Sequence, residues 1–113
     1  MAKTEFRIRT VLVDGEAVVR VVGDLDAAAH RRFVDHFAVG VPARHPVAID
    51  LTHVGFVDSS GLKMLLRAVE SLRSEGRPAR VSAASPQALK LFELSGVLEQ
   101  LTGESPADEG TAT

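Results

Sequence analysis

Apolar residues recur along this chain at two spacings, and the way the two alternate restricts the folds open to it. Residues 6–25, FRIRTVLVDGEAVVRVVGDL, read as a hairpin. Two β-branched runs flank Asp14-Gly15, a pair that tolerates the positive φ of a tight type I′ turn. Phe6 and Ile8 alternate with Arg7 and Arg9, so the first strand has one wet face. Val18, Val19, Val21 and Val22 predict a more fully buried second strand. The spacing then changes. Ala29, Phe33 and Phe37 recur at i, i+4 and i+8, one face of a helix that Asp26 caps and that Gly40 and Pro42 end. HPVAIDL (45–51) is a short strand, apolar on both faces and therefore central in a sheet. THVGFVDSSG (52–61) reads as a longer loop, leading into a helix with Leu62, Leu65, Leu66, Val69 and Leu72 on one face. Arg67, Glu70, Arg73 and Glu75 take its other face, and Gly76 and Pro78 close it. ARVSAAS (79–85) is another strand. Ser85 and Pro86 open a further helix as N-cap and first helical residue. Its apolar residues Leu89, Phe92 and Leu94 lead to a break at Ser95-Gly96, and VLEQL is a last helix or strand.

The predicted order is β-β-α-β-α-β-α plus that final piece. Strands separated by helices pair in parallel through right-handed crossovers, and the opening hairpin adds one antiparallel strand. The fold class is therefore α/β: a small mixed sheet, mostly parallel, packed with about four helices. At 113 residues and 45% hydrophobic, the chain has the length for one domain and the material for a core. That domain spans 5–102, and residues 1–4 and 103–113 are expected to be flexible tails.

Composition removes several function classes. With no cysteine there are no disulfides and no thiolate metal sites, which suits a reducing compartment. No apolar run approaches the ~20 residues needed to span a bilayer, and MAKTEFRIRT lacks the apolar core of a signal peptide. Membrane insertion is not expected, and a cytoplasmic location is. The net charge of −2 comes from charges scattered along the chain, not the basic stripe of a nucleic-acid binder. Five Phe with no Trp or Tyr make a poor base-stacking platform. No metal site and no cofactor are expected.

Two acidic turns should lie where ligands and partners meet such folds, at the carboxyl ends of the strands. One is Gly23-Asp24-Leu25-Asp26, the other Asp58-Ser59-Ser60-Gly61. Helix capping explains part of the second, because Asp and Ser accept hydrogen bonds from the unpaired N–H groups of a first turn. One cap suffices, which leaves the second hydroxyl without a role. Gly61 in the first helical turn costs ~1 kcal/mol relative to Ala, and its small size would let another surface approach the serines. A phosphorylated serine would be tolerated at a helix N-terminus. It would add ~1.5–2 negative charges to a surface that already holds Asp24, Asp26 and Asp58.

These stretches resemble the anti-sigma factor antagonists, a family with the STAS fold. VVGDLDAAA is similar to the family's Gly-Glu/Asp-Leu-Asp motif, with Asp24 in place of the commoner Glu. IDLTHVGFVDSSGLKMLL is similar to its central segment, and ASPQALKLFELSGVLEQL to its closing one. The resemblance implies an unphosphorylated form that binds an anti-sigma factor with serine kinase activity and so frees a sigma factor. Phosphorylation would break that complex, and a metal-dependent serine phosphatase would restore it. It implies Ser59 as the phosphoacceptor, with Ser60 as the neighbouring alternative. Asp24, Asp26, Asp58, Ser59, Ser60, Gly61 and Leu62 are the implied partner-binding residues of a monomer or weak dimer. Lys63 stands where small residues are frequent in the family, and His53 in the preceding segment has no assigned role.

Two enzymatic or signalling rivals fit less well. A serine hydrolase would use Ser59 with one of His30, His36, His45 or His53, but a nucleophile elbow needs glycine where Val57 stands. A phosphoaspartate receiver would use the acidic residues, but needs a lysine at the end of a late strand, where only the helical Lys90 is near. The chain is therefore expected to have no catalytic residues. The remaining alternative is another use of the STAS fold, as a subunit of a stress-sensing scaffold or of a lipid-transport ATPase complex.

Overall fold

The computed structural model describes residues 5–103. The segments 1–4 and 104–113, expected to be flexible, lie outside the described residues. The elements follow in the order β1 (Arg7–Val13), β2 (Glu16–Leu25), a 3-10 turn (Ala27–Ala29), α1 (His30–Val39), β3 (Val47–Val57), α2 (Ser59–Ser74), β4 (Ala79–Ala84), α3 (Pro86–Leu94) and α4 (Leu98–Thr102). This is the α/β order read from the sequence, with VLEQL resolved as helix. The strands lie in the order β1-β2-β3-β4, with β1 antiparallel to β2 and the remaining pairs parallel. Asp14 (φ 50°) and Gly15 (φ 80°) both take the left-handed backbone that a type I′ hairpin requires.

The sheet advances in one direction from β2 to β3 to β4. Two successive right-handed crossovers therefore place α1 and α2 on the same face. One core forms there, with Val19, Val21 and Leu25 of β2 and Ile49, Leu51 and Val54 of β3 packed under Phe33, Leu65, Phe92 and Leu101 from the four helices. The opposite face has no helix layer. Accordingly β2 is not buried on both sides: Ala17, Val19, Val21, Gly23 and Leu25 are buried, whereas Val18 and Val22 are only half-buried and Arg20 is exposed.

β3 departs most from its expected form. It continues through THVGFV to Val57, so the long loop does not exist. Its pairing with β2 shifts twice, between Arg20 and Val22 and between Gly23 and Leu25. Each shift is a bulge that inserts one residue and leaves two successive side chains outside the core. The buried positions thus fall at Leu51, Val54 and Val57, with Thr52, His53, Gly55 and Phe56 exposed. A spacing of three is neither the two of a strand nor the 3.6 of a helix, and it disguised the strand. β2 likewise runs through Gly23-Asp24-Leu25, so that expected turn is strand and the chain turns only at Asp26.

Two arginines on the polar side of the crossovers pin the layers. Arg77 donates from Nε and Nη2 to the carbonyl of His45 and from Nη2 to that of Pro42, closing the loop before β3. Arg73, assigned to a wet helix face by its spacing, donates to the carbonyls of Ala79, Gln100 and Gly103 and ties α2 to β4 and α4. Leu94, grouped with the core by its apolar character, is 76% exposed. It sits at the last position of α3, facing away from the sheet that Phe92 packs against.

Candidate functional site

The parallel strands β2, β3 and β4 end on the same side of the molecule, and a capped helical turn begins at each end. Asp26 Oδ1 accepts from the Ala29 amide at 3.3 Å, and Ser85 Oγ from the Ala88 amide at 3.2 Å. Asp58 caps α2, its Oδ1 accepting from the Gly61 amide at 2.9 Å. The caps at Asp26, Asp58 and Ser85 are those expected from residue type. Their shared location follows from the parallel sheet.

The Asp58 carboxylate does more than cap. Ser60 Oγ donates to the same Oδ1 at 2.6 Å, which assigns a role to the hydroxyl the sequence left over. Hydrogen bonds from the Ser60 hydroxyl and the Gly61 amide hold the Asp58 carboxyl below the ordinary carboxylate range, with smaller help from the amides of Ser60 and Ala27. Hydrogen bonds that favour the charged form have this sign. The Ala27 contact links α2 to the turn after β2, and the Asp58 amide reinforces the link by donating to Leu25 O at 3.2 Å. Ala27 and Leu25 take part through their backbones, so residue type carried no signal for them.

Ser59 differs from its neighbour. It is the first residue of α2, it is exposed, and its hydroxyl has no hydrogen-bond partner among the described residues. Gly61 is buried, and a Cβ added to it would collide with the backbone carbonyl of Leu25. The expectation that this glycine opens the serines to a second surface is therefore corrected: it lets the first turn of α2 rest on the end of β2. Leu62 is half-buried against the core. Asp24 is half-buried at the end of β2, with its Oδ1 beside Gly55. The structure thus gathers Asp24, Asp26 and Asp58–Leu62 at one end of the molecule, with Gly61 inside it.

Lys63 is exposed one turn along α2 and, with Ser60, lines the end of a groove between α1 and α2. The groove encloses about 800 Å3, and Phe33, Phe37 and Met64 contribute to its apolar wall. Sequence periodicity marked Phe33 and Phe37 as core without revealing the groove. His53 lies elsewhere, on the helix-free face. No cluster of three or more metal-ligating side chains occurs among the described residues. No helix there is long and apolar enough to cross a membrane.

A two-layer α/β domain with three capped helix starts at one sheet end and an exposed serine on the central one defines a STAS-type module. A family model described as Mlab, STAS domain, matches residues 8–103, and the chain belongs to this STAS family. Solved structures agree with the assignment. An anti-sigma factor antagonist from Mycobacterium paratuberculosis is 28% identical, with 96% of this chain and 93% of that chain covered and a TM-score of 0.67. An antisigma-factor antagonist STAS domain from Rhodobacter sphaeroides is 27% identical, with 69% and 86% covered and a TM-score of 0.57. The unphosphorylated anti-sigma factor antagonist SpoIIAA, at 20% identity, shares the fold, with 87% and 86% covered and a TM-score of 0.62.

Proposed function

We propose that this chain is an anti-sigma factor antagonist that acts by partner switching. Its unphosphorylated form binds an anti-sigma factor with serine kinase activity and releases the sigma factor. Phosphorylation of Ser59 ends that binding, and a metal-dependent serine phosphatase restores it. The observation that carries this reading is the contrast between the two serines. Ser60 Oγ is committed to Asp58 at 2.6 Å, while Ser59 presents an exposed, unengaged hydroxyl on the first residue of α2. A phosphate there meets the positive end of the helix dipole, so the fold tolerates it. It also meets the carboxylates of Asp24, Asp26 and Asp58 at the same molecular end, so a docked partner faces concentrated negative charge. Like-charge juxtaposition costs several kcal/mol, and ~2.7 kcal/mol is a hundredfold in affinity.

The test is incubation with candidate anti-sigma kinases and ATP, followed by intact-mass measurement and peptide mapping. The expected outcome is one phosphate on Ser59. Ser59→Ala should keep kinase binding and lose switching, and Ser59→Asp should bind about a hundredfold more weakly. Phosphate only outside Ser59 and Ser60, or undiminished binding by Ser59→Asp, contradicts the proposal. A second reading is another use of the same fold, as a STAS subunit of a stress-sensing scaffold or a lipid-transport ATPase complex, and the matching family model, described as Mlab, STAS domain, is compatible with it. In that case the chain co-purifies with its complex and Ser59→Ala is silent.

A further inference from the structure

The arginines that lie apart in the sequence converge on the helix-free face of the sheet. Arg7, Arg9 and Arg20, with His53, line a depression of about 660 Å3 over β1, β2 and β3, and Arg32, carried by α1 on the other face, reaches only its edge, its guanidinium 5.4 Å from the centre of the Phe6 ring. Arg9 and Arg20 are direct cross-strand partners. Like charges placed opposite each other on a strand pair are destabilising, so folding alone gives no reason for this pair. Among the described residues Asp50 is the one carboxylate lining the depression. It is loosely placed, with its Oδ2 3.9 Å from Arg20 Nε, and its other oxygen already accepts from the Thr52 amide and hydroxyl at 2.9 and 2.6 Å. Three guanidinium groups on this face therefore meet one committed carboxylate in a chain whose net charge is −2.

We propose that this depression binds a small soluble anion carrying two phosphoryl groups. Its cations are all arginine, whose planar forks match phosphate oxygens in pairs and which serve bidentate recognition better than lysine. The spacing fits two groups. Cross-strand partners such as Arg9 and Arg20 hold their Cβ atoms about 5 Å apart, close enough for both forks to grip one phosphoryl group. Arg7 lies two residues along the same strand, about 7 Å away, and reaches a second. His53 adds a ring N–H. The volume is within the range of small-molecule sites, which is roughly 300–1,000 Å3. The face is separate from Ser59, so this proposal stands or falls apart from the phospho-switch.

The test is a titration of the full chain with inorganic pyrophosphate, followed by backbone amide NMR. Saturable shifts are expected at residues 7–9, 20–22 and 50–53, with inorganic phosphate binding about tenfold more weakly because it engages only part of the arginine set. The double variant Arg9→Gln/Arg20→Gln should lose at least about tenfold in pyrophosphate affinity while melting no lower than the parent, since a like-charge pair is relieved. Arg7→Gln, read separately, should weaken pyrophosphate more than phosphate. Shifts confined to the start of α2, or unchanged affinity in the double variant, would overturn the proposal. So would binding to phosphatidic acid vesicles without binding to pyrophosphate, which would make the face a membrane contact instead.

Discussion

Gly61 is the residue whose role changes most between sequence and structure. A glycine in the first turn of a helix reads as a concession to an approaching partner. The approaching surface is internal: the backbone of Leu25, where an added Cβ would collide with the carbonyl oxygen. That backbone also accepts the Asp58 amide, so it is held in place. Gly61→Ala gains about 1 kcal/mol of helix propensity, but forces two backbones apart, a type of overpacking that costs about 1–3 kcal/mol. The variant should therefore be net destabilised in urea unfolding, and a more stable variant would show that α2 does not rest on β2 as described. The caps at Asp26, Asp58 and Ser85 were legible because a cap bonds within its own first turn. The Gly61 contact was not, because it joins residues 36 positions apart in the sequence, 25 and 61.

Among the elements, β3 carries the main lesson. Its first half is apolar on both faces and was legible as a central strand. Its second half places Leu51, Val54 and Val57 in the core at intervals of three, because two bulges each absorb a residue. Hydrophobic periodicity has no template for that spacing, whereas register against β2 reveals it at once. The crossover loops show a related limit. Arg77 has a side chain only 13% exposed and makes three hydrogen bonds to the carbonyls of Pro42 and His45. Hydrogen bonds from a charged donor are worth about 1.5–3 kcal/mol, so Arg77→Ala should cost about that much in urea unfolding. Arg77→Lys should recover little of it, because an ammonium cannot reproduce the fork. Full recovery by lysine would mean that charge, and not the paired geometry, holds the α2–β4 turn against the α1–β3 loop.

Across the whole molecule, pH dependence follows from groups that different elements bring together. His36 of α1 bonds Thr10 of β1 through Nε2 and Oγ1 at 2.7 Å, and burial holds its pKa below the ordinary 6.5. The unfolded chain therefore binds more protons than the folded one just below pH 6.5, and stability falls with pH from there down to the folded value. Asp50 and Asp58 act lower. Burial pushes Asp50 up, but the Thr52 hydroxyl and amide, with Arg20 and His53, bring it below 3.8, and Asp58 is also below it. Their stabilisation is complete above pH 3.8 and is lost as pH falls through their folded values. Urea midpoints against pH should show a decline beginning below 6.5 and a second below 3.8. His36→Gln should remove the first and leave the second; an unaltered profile would sink the assignment to His36. The sequence by itself determined the order of elements, the hairpin turn and the helix caps, since each depends on neighbours within a few residues. Only the tertiary structure decided that β3 runs to Val57, that Gly61 rests against Leu25, and that scattered arginines meet on one face. Those outcomes depend on which strands pair and in what register, a relation between distant segments that local spacing does not encode.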